Sequence, residues 1–146
     1  MAQSVFQNLV NSADLADRFF IDSAGTSNEE EGNPPHPGTQ RKLAEKRIPL
    51  VPHVSRPIKS SEFEDWDLIV YMDGQNETRL KQIFSGQPDD GVSSKLQPLL
   101  AFAPSSYTKG RRDVADPWWT HDFQQTYEDV VAGCEGLLKS LLNSKQ

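Results

Sequence analysis

The order of apolar patterns along the chain predicts an α/β fold built on a parallel sheet. Three observations carry that prediction. Short apolar runs alternate with stretches of helical period along the chain. The run LIVYM (68–72) is apolar throughout, as expected of a strand covered on both faces. From Phe123 to Leu142 the apolar residues keep helical spacing for five turns. No internal repeat or linker divides the 146 residues, so one domain over 1–146 is expected.

Each element has its own local reason. Val5, Phe6, Leu9 and Val10 fall on one face of a short helix. RFFID (18–22) reads as a short buried strand, and SAGTS (23–27) as the small polar turn after it. NEEEGNPPHPG (28–38) is a loop rich in Glu, Pro and Gly. TQRKLAEKRI (39–48) is a strong helix former with Leu43 facing inward. Ser61 and Glu64 fit a capping box opening a short helix through Phe63 and Trp66. The strand 68–72 ends at Asp73 and Gly74, and NETRLKQIF (76–84) follows as a helix. Residues 85–94 read as loop. KLQPLLAF (95–102) reads as a further strand, at an edge because Pro98 cannot donate to a ladder. In the last helix Phe123, Tyr127, Val130, Val131, Cys134, Leu137, Leu138, Leu141 and Leu142 form the seam.

Composition removes several function classes. The net charge of −6, without a long basic stripe, argues against nucleic acid and anionic membrane surfaces. No apolar run approaches the ~20 residues that span a bilayer. The first residues lack the pattern of a signal peptide, so a cytoplasmic location is expected. A single cysteine excludes a disulfide framework and a cysteine-based zinc site. The three histidines lie in different segments, which leaves metal ligation possible but unsupported; no cofactor is expected.

The reactive groups are few. Cys134 sits mid-helix on the apolar seam beside Glu135, which suits a small core residue rather than a nucleophile. Asp116 precedes Pro117 in a loop, where a carboxylic acid can protonate a leaving oxygen, or is a turn residue before a helix, the reading that these residues alone favour. Trp118 and Trp119 can wall a slot for a flat ring, or serve as packing. Lys109, Arg111 and Arg112 add positive field near an anion or form a solvated loop. SAGTS offers small hydroxyl residues after a strand but is no Walker-type loop. His53 orients a partner or caps a loop.

Taken together, these stretches resemble the low-molecular-weight protein tyrosine phosphatases. FFIDSAGTS, PPHPGTQRKLAEKRI, PHVSRPI, FEDWDLIVYMDGQN, LLAFAP, DVADPWW and FQQTYEDVVAGCEGLL occur in family order over nearly the whole chain. The resemblance implies a three-layer fold with four parallel strands in the order 2-1-3-4. It also implies hydrolysis of phosphotyrosine, in a protein or an aryl phosphate, through a phosphocysteine, without a metal. In the family a Cys-x5-Arg-Ser-Pro loop cradles the phosphate at a helix N-terminus, and an arginine clamps it. An aspartate protonates the tyrosyl oxygen and then activates water. That acid matches Asp116. The aromatic walls match Trp118 and Trp119, where tyrosine is common in the family. Ser23 matches the serine supporting the phosphate loop. His53 matches the histidine of that support, although Pro57 stands where the family usually has glutamine.

The resemblance leaves one piece unmatched. The 146 residues hold no Cys-x5-Arg; six residues after Cys134 stands Ser140. The first strand and the phosphate loop are expected upstream of Met1, and the chain as written is expected to be inactive. An interior strand of about five buried residues contributes on the order of 10 kcal/mol, comparable with a whole domain's stability. Open sheet edges, or direct pairing of strands two and three, are therefore expected. A non-catalytic binding protein on the same fold is the alternative. An arsenate reductase fits less well, because that chemistry needs further redox cysteines.

Overall fold

The last helix is the axis around which the chain is packed. The computed structural model describes residues 1–27 and 31–143, with only the backbone of Trp118 and Trp119. In chain order the helices are α1 (Ala2–Ser12), α2 (Pro37–Glu45), α3 (Gly74–Ile83), α4 (Asp89–Lys95), α5 (Ser105–Thr108), α6 (Pro117–Thr120) and α7 (Phe123–Asn143). Strands β1 (Ile69–Tyr71) and β2 (Leu96–Pro98) pair in parallel, Ile69 against Leu96 and Tyr71 against Pro98. Helix α7 packs on α1, α2 and a 3-10 turn at Leu99–Phe102. That approach is close at Gly136, where a Cβ would stand 1.8 Å from the Phe102 carbonyl oxygen.

The sheet separates two apolar cores, as a strand buried on both faces requires. Leu68, Val70 and Met72 pack with Val5, Val10, Leu43, Leu99, Val130 and Cys134. Ile69 and Tyr71 turn to the opposite side, among Phe63, Leu80, Phe84, Val92 and Leu96. The period of two in β1 thus distributes α1, α2 and α7 to one face and α3 and α4 to the other.

Several elements depart from the sequence expectations. RFFID is not a strand. Ala16–Arg18 form a 3-10 turn, and Phe19 then enters extended backbone. Phe19 and Ile21 face the first core and Phe20 faces solvent, so the alternation survives. What is missing is a ladder. Among the described residues this region contributes only the isolated bridge Gly25–Pro57. The RFFID stretch does not pair directly with β1, and the sheet has two strands among the described residues.

The strand expected over 95–102 holds only at Leu96–Pro98, after which the chain coils so that Leu99 and Leu100 reach α7. The expected loop 85–94 contains α4, whose first turn carries Asp89 and Asp90, favourable beside a helix N-terminus. The capping box stands two residues early: Glu62, not Glu64, accepts from the Lys59 N–H at 2.8 Å. The turn it opens ends at Asp65. Helix α2 starts at Pro37, earlier than expected, because His36 Nδ1 accepts from the Gly38 N–H at 2.9 Å and proline suits the first helical position.

Candidate active site

The loop before α6 is docked at the end of β1. The Val114 N–H donates to the Met72 carbonyl at 2.9 Å. Asp113 Oδ1 accepts from the Gly74 N–H at 3.1 Å, at the start of α3. Asp73, which follows the strand, caps that same helix by accepting from Asn76 N–H at 2.8 Å. The loop therefore lies where loops gather outside the carboxyl ends of parallel strands, the usual place for ligands in such sheets.

Asp116 is exposed at the tip of this loop. Its carbonyl accepts from the Thr120 N–H at 3.1 Å, closing the first turn of α6. The side chains of Trp118 and Trp119 lie outside the described part of the structure, so their expected role as ring walls is not addressed by it.

Beneath the loop lies a polar cluster that the sequence did not disclose. Asp129 has 0% exposure, in the middle of α7. Its Oδ1 accepts from the Tyr107 hydroxyl at 2.7 Å, Arg111 Nη2 at 2.9 Å and Gln125 Nε2 at 3.0 Å. Its Oδ2 accepts from Arg111 Nη1 at 3.1 Å and the Ala115 N–H at 2.9 Å. Burial by itself would raise the carboxyl pKa. The hydrogen bonds from Arg111, Tyr107, Ala115 and Gln125 outweigh it and hold the value at about 2. Burial, with the Asp129 carboxylate, pushes the Tyr107 hydroxyl up to about 12. Arg111, expected as field for an anion or as a solvated residue, is instead the bidentate partner of Asp129. One signal was available: a carboxylate on the inward side of an apolar helix requires a partner.

The supporting residues stand on another side. Ser23 Oγ donates to Gln3 Oε1, and Gln3 Nε2 reaches the Ile21 carbonyl at 3.5 Å. His53 Nδ1 lies 3.5 Å from Asp22 Oδ1. Asp22 is also held by Arg56 at 3.0 Å, and Arg56 pairs with Glu62 at 3.0 Å. Ser23 and His53 line one open cavity of about 210 Å³ at the N-terminal end of α1, with Gln3, Ser4, Gly25 and Ser55. The structure brings these two residues to one cavity wall. Asp116 is not among the residues lining that cavity.

Cys134 is 1% exposed, with its Sγ 3.9 Å from the Ala2 carbonyl. Burial pushes its thiol up to about 12. It is a core residue without thiolate character at neutral pH. Among the described residues no group of three or more His, Cys, Asp or Glu is placed to hold a metal. No helix among them is long and apolar enough to cross a membrane.

The chain as a whole is similar to known proteins. The family model for low molecular weight phosphotyrosine protein phosphatase matches residues 1–146. The chain belongs to this family. It is 31% identical to the low molecular weight protein-tyrosine-phosphatase YfkJ of Bacillus subtilis (strain 168), over all of this chain (100%) and 89% of the relative. It is 30% identical to PtpA of Staphylococcus saprophyticus, over 97% of this chain and 84% of that protein. The crystal structure of YfkJ superposes with a TM-score of 0.89 at 30% identity, covering 99% of this chain and 87% of that one. A protein tyrosine phosphatase from Entamoeba histolytica gives 0.82 at 26% identity, covering 99% and 89%. The α/β fold class and the small parallel sheet are those of the family.

Proposed function

We propose that this chain carries the acid side of a phosphotyrosine phosphatase site, with Asp116 as general acid. The anchored loop supports this reading most directly. Its backbone is tied to β1 and α7 and its Asp113 side chain to α3, while the Asp116 side chain stands exposed just before Pro117. In the reaction a thiolate attacks phosphorus and the P–O bond breaks. The leaving tyrosyl oxygen keeps the bonding electrons and takes the proton of Asp116. The resulting carboxylate then draws a proton from the water that releases phosphate. Trp118 and Trp119 flank the substrate ring, and Ser23 and His53 support the phosphate loop. The substrate class is a phosphotyrosine protein or a simple aryl phosphate.

The nucleophile and the phosphate-clamping arginine belong to a Cys-x5-Arg loop, which the 146 residues do not contain. Cys134 does not replace it, being buried with a raised pKa. The 146-residue chain alone is therefore expected not to turn over p-nitrophenyl phosphate. The test joins to Met1 a strand and Cys-x5-Arg-Ser-Pro loop of the kind that the family resemblance implies. Turnover is expected to appear, and Asp116→Asn in that fusion is expected to lower it by roughly 100-fold or more with phenyl phosphate, whose leaving oxygen needs the proton. Turnover by the 146 residues alone, or a fusion indifferent to Asp116→Asn, would refute the reading.

A further inference from the structure

A general acid acts only if its carboxyl stands where the leaving oxygen will be. Displacement by about 1 Å can cost on the order of 100-fold. Asp116 precedes a proline, and that restricts its own backbone to the extended region. On the far side, α6 begins and the Thr120 N–H holds the Asp116 carbonyl. The peptide units before it, at Val114 and Ala115, also set where the acid stands.

Both polar groups of Ala115 are taken by α7. Its N–H donates to Asp129 Oδ2 at 2.9 Å, and its carbonyl accepts from Thr126 Oγ1 at 2.7 Å. Thr126 is buried, at 8% exposure. Its hydroxyl has one proton and two acceptors in reach, Ala115 at 2.7 Å and the Asp122 carbonyl at 3.4 Å. The shorter contact takes the proton. The hydroxyl therefore serves the loop rather than its own helix.

Asp129 is itself held at both carboxylate oxygens. The Arg111 fork fixes the carboxylate plane, and five donors fill its roughly four lone-pair directions. Arg111 also balances its charge, so the loop is gripped by hydrogen bonds rather than by an uncompensated field.

We infer that Thr126 and Asp129 are positioning residues for Asp116, gripping the Ala115 peptide at its N–H and its carbonyl and so setting where the acid stands. This rests on Asp116 being the general acid. Neither residue touches substrate in this assignment. The consequence is specific to leaving groups. p-Nitrophenolate departs readily without a proton, whereas phenolate needs one. Loosening the grip therefore slows phenyl phosphate more than p-nitrophenyl phosphate.

Two measurements test it. In the 146-residue chain, amide exchange at Val114 and Ala115 is expected to quicken in Asp129→Asn and in Thr126→Val, and to stay as in wild type in Thr126→Ser, which keeps the hydroxyl. Unchanged exchange in both of the first two variants overturns the grip. In the fusion described above, Thr126→Val is expected to lower kcat for phenyl phosphate by roughly tenfold. The loss with p-nitrophenyl phosphate is expected to be several-fold smaller, with KM little changed and Thr126→Ser restoring the ratio. Equal losses on both substrates mean a structural role only and overturn the inference. If Asp116→Asn alone changes the leaving-group dependence, this inference falls and the functional reading stands. If Asp116→Asn does not change it, both fall.

Discussion

The loop carrying Asp116 hangs on a carboxylate of 0% exposure with five donors, whereas the segment carrying Ser23 hangs on one isolated bridge and a few partly exposed side chains. The two sides meet the same need, to hold a short polar stretch at the edge of a small sheet. The acid side uses a group whose burial makes every hydrogen bond obligatory. The support side uses contacts that water can replace. Charge pairs follow the same division. Asp129 with Arg111 joins a fully buried carboxylate to a guanidinium at 43% side-chain exposure. Asp22 and Arg56, at 27% and 35%, are open on both partners, where an ion pair contributes little.

This contrast can be broken most forcefully at Asp129. Asp129→Ala strips an acceptor from the Tyr107 hydroxyl, the Ala115 N–H and Arg111 together. The expected loss is about 3 kcal/mol of unfolding free energy, read from denaturant midpoints. A loss below about 1 kcal/mol would show that the cluster is dispensable to the fold.

Acid sharpens the same point with a smaller effect. The folded Asp129 carboxyl titrates at about 2, below its ordinary value. Its contribution to stability is therefore complete above the ordinary carboxylate range, and it is lost as pH falls through about 4 towards 2. The thermal midpoint of the wild type is expected to drop more steeply across that window than that of Asp129→Asn. Parallel curves would place the acid sensitivity elsewhere.

On the support side the expected effect is smallest. Ser23→Ala removes the hydroxyl donated to Gln3, a partly buried contact, and is expected to cost no more than about 1 kcal/mol. A larger loss would mean that this segment is held as firmly as the acid loop.

Much of the architecture was legible because it depends on local period. The seam of α7, the buried run of β1 and the inward Leu43 of α2 are readable from spacing alone, and Cys134 is read as a core residue from its place in that seam. The residues around Asp116 read as a loop before the long last helix. What failed depends on partners. The RFFID stretch keeps its alternation, yet a strand is a ladder, and no pairing neighbour for it stands among the described residues beyond Gly25–Pro57. Residues 99–102 coil rather than extend, since Leu99 and Leu100 are drawn onto α7.

The sequence by itself determined the two-faced burial of β1, written in the side-chain order of one stretch, and the family, written in the order of several stretches along the chain. Only the tertiary structure decided that Asp129 and Thr126 hold the loop of Asp116. They lie 11 to 14 positions further along the chain from Ala115, on a helix whose visible pattern is apolar. Hydrogen bonds between a helix side chain and a distant backbone leave no period in a sequence; they exist only once packing has brought the two together.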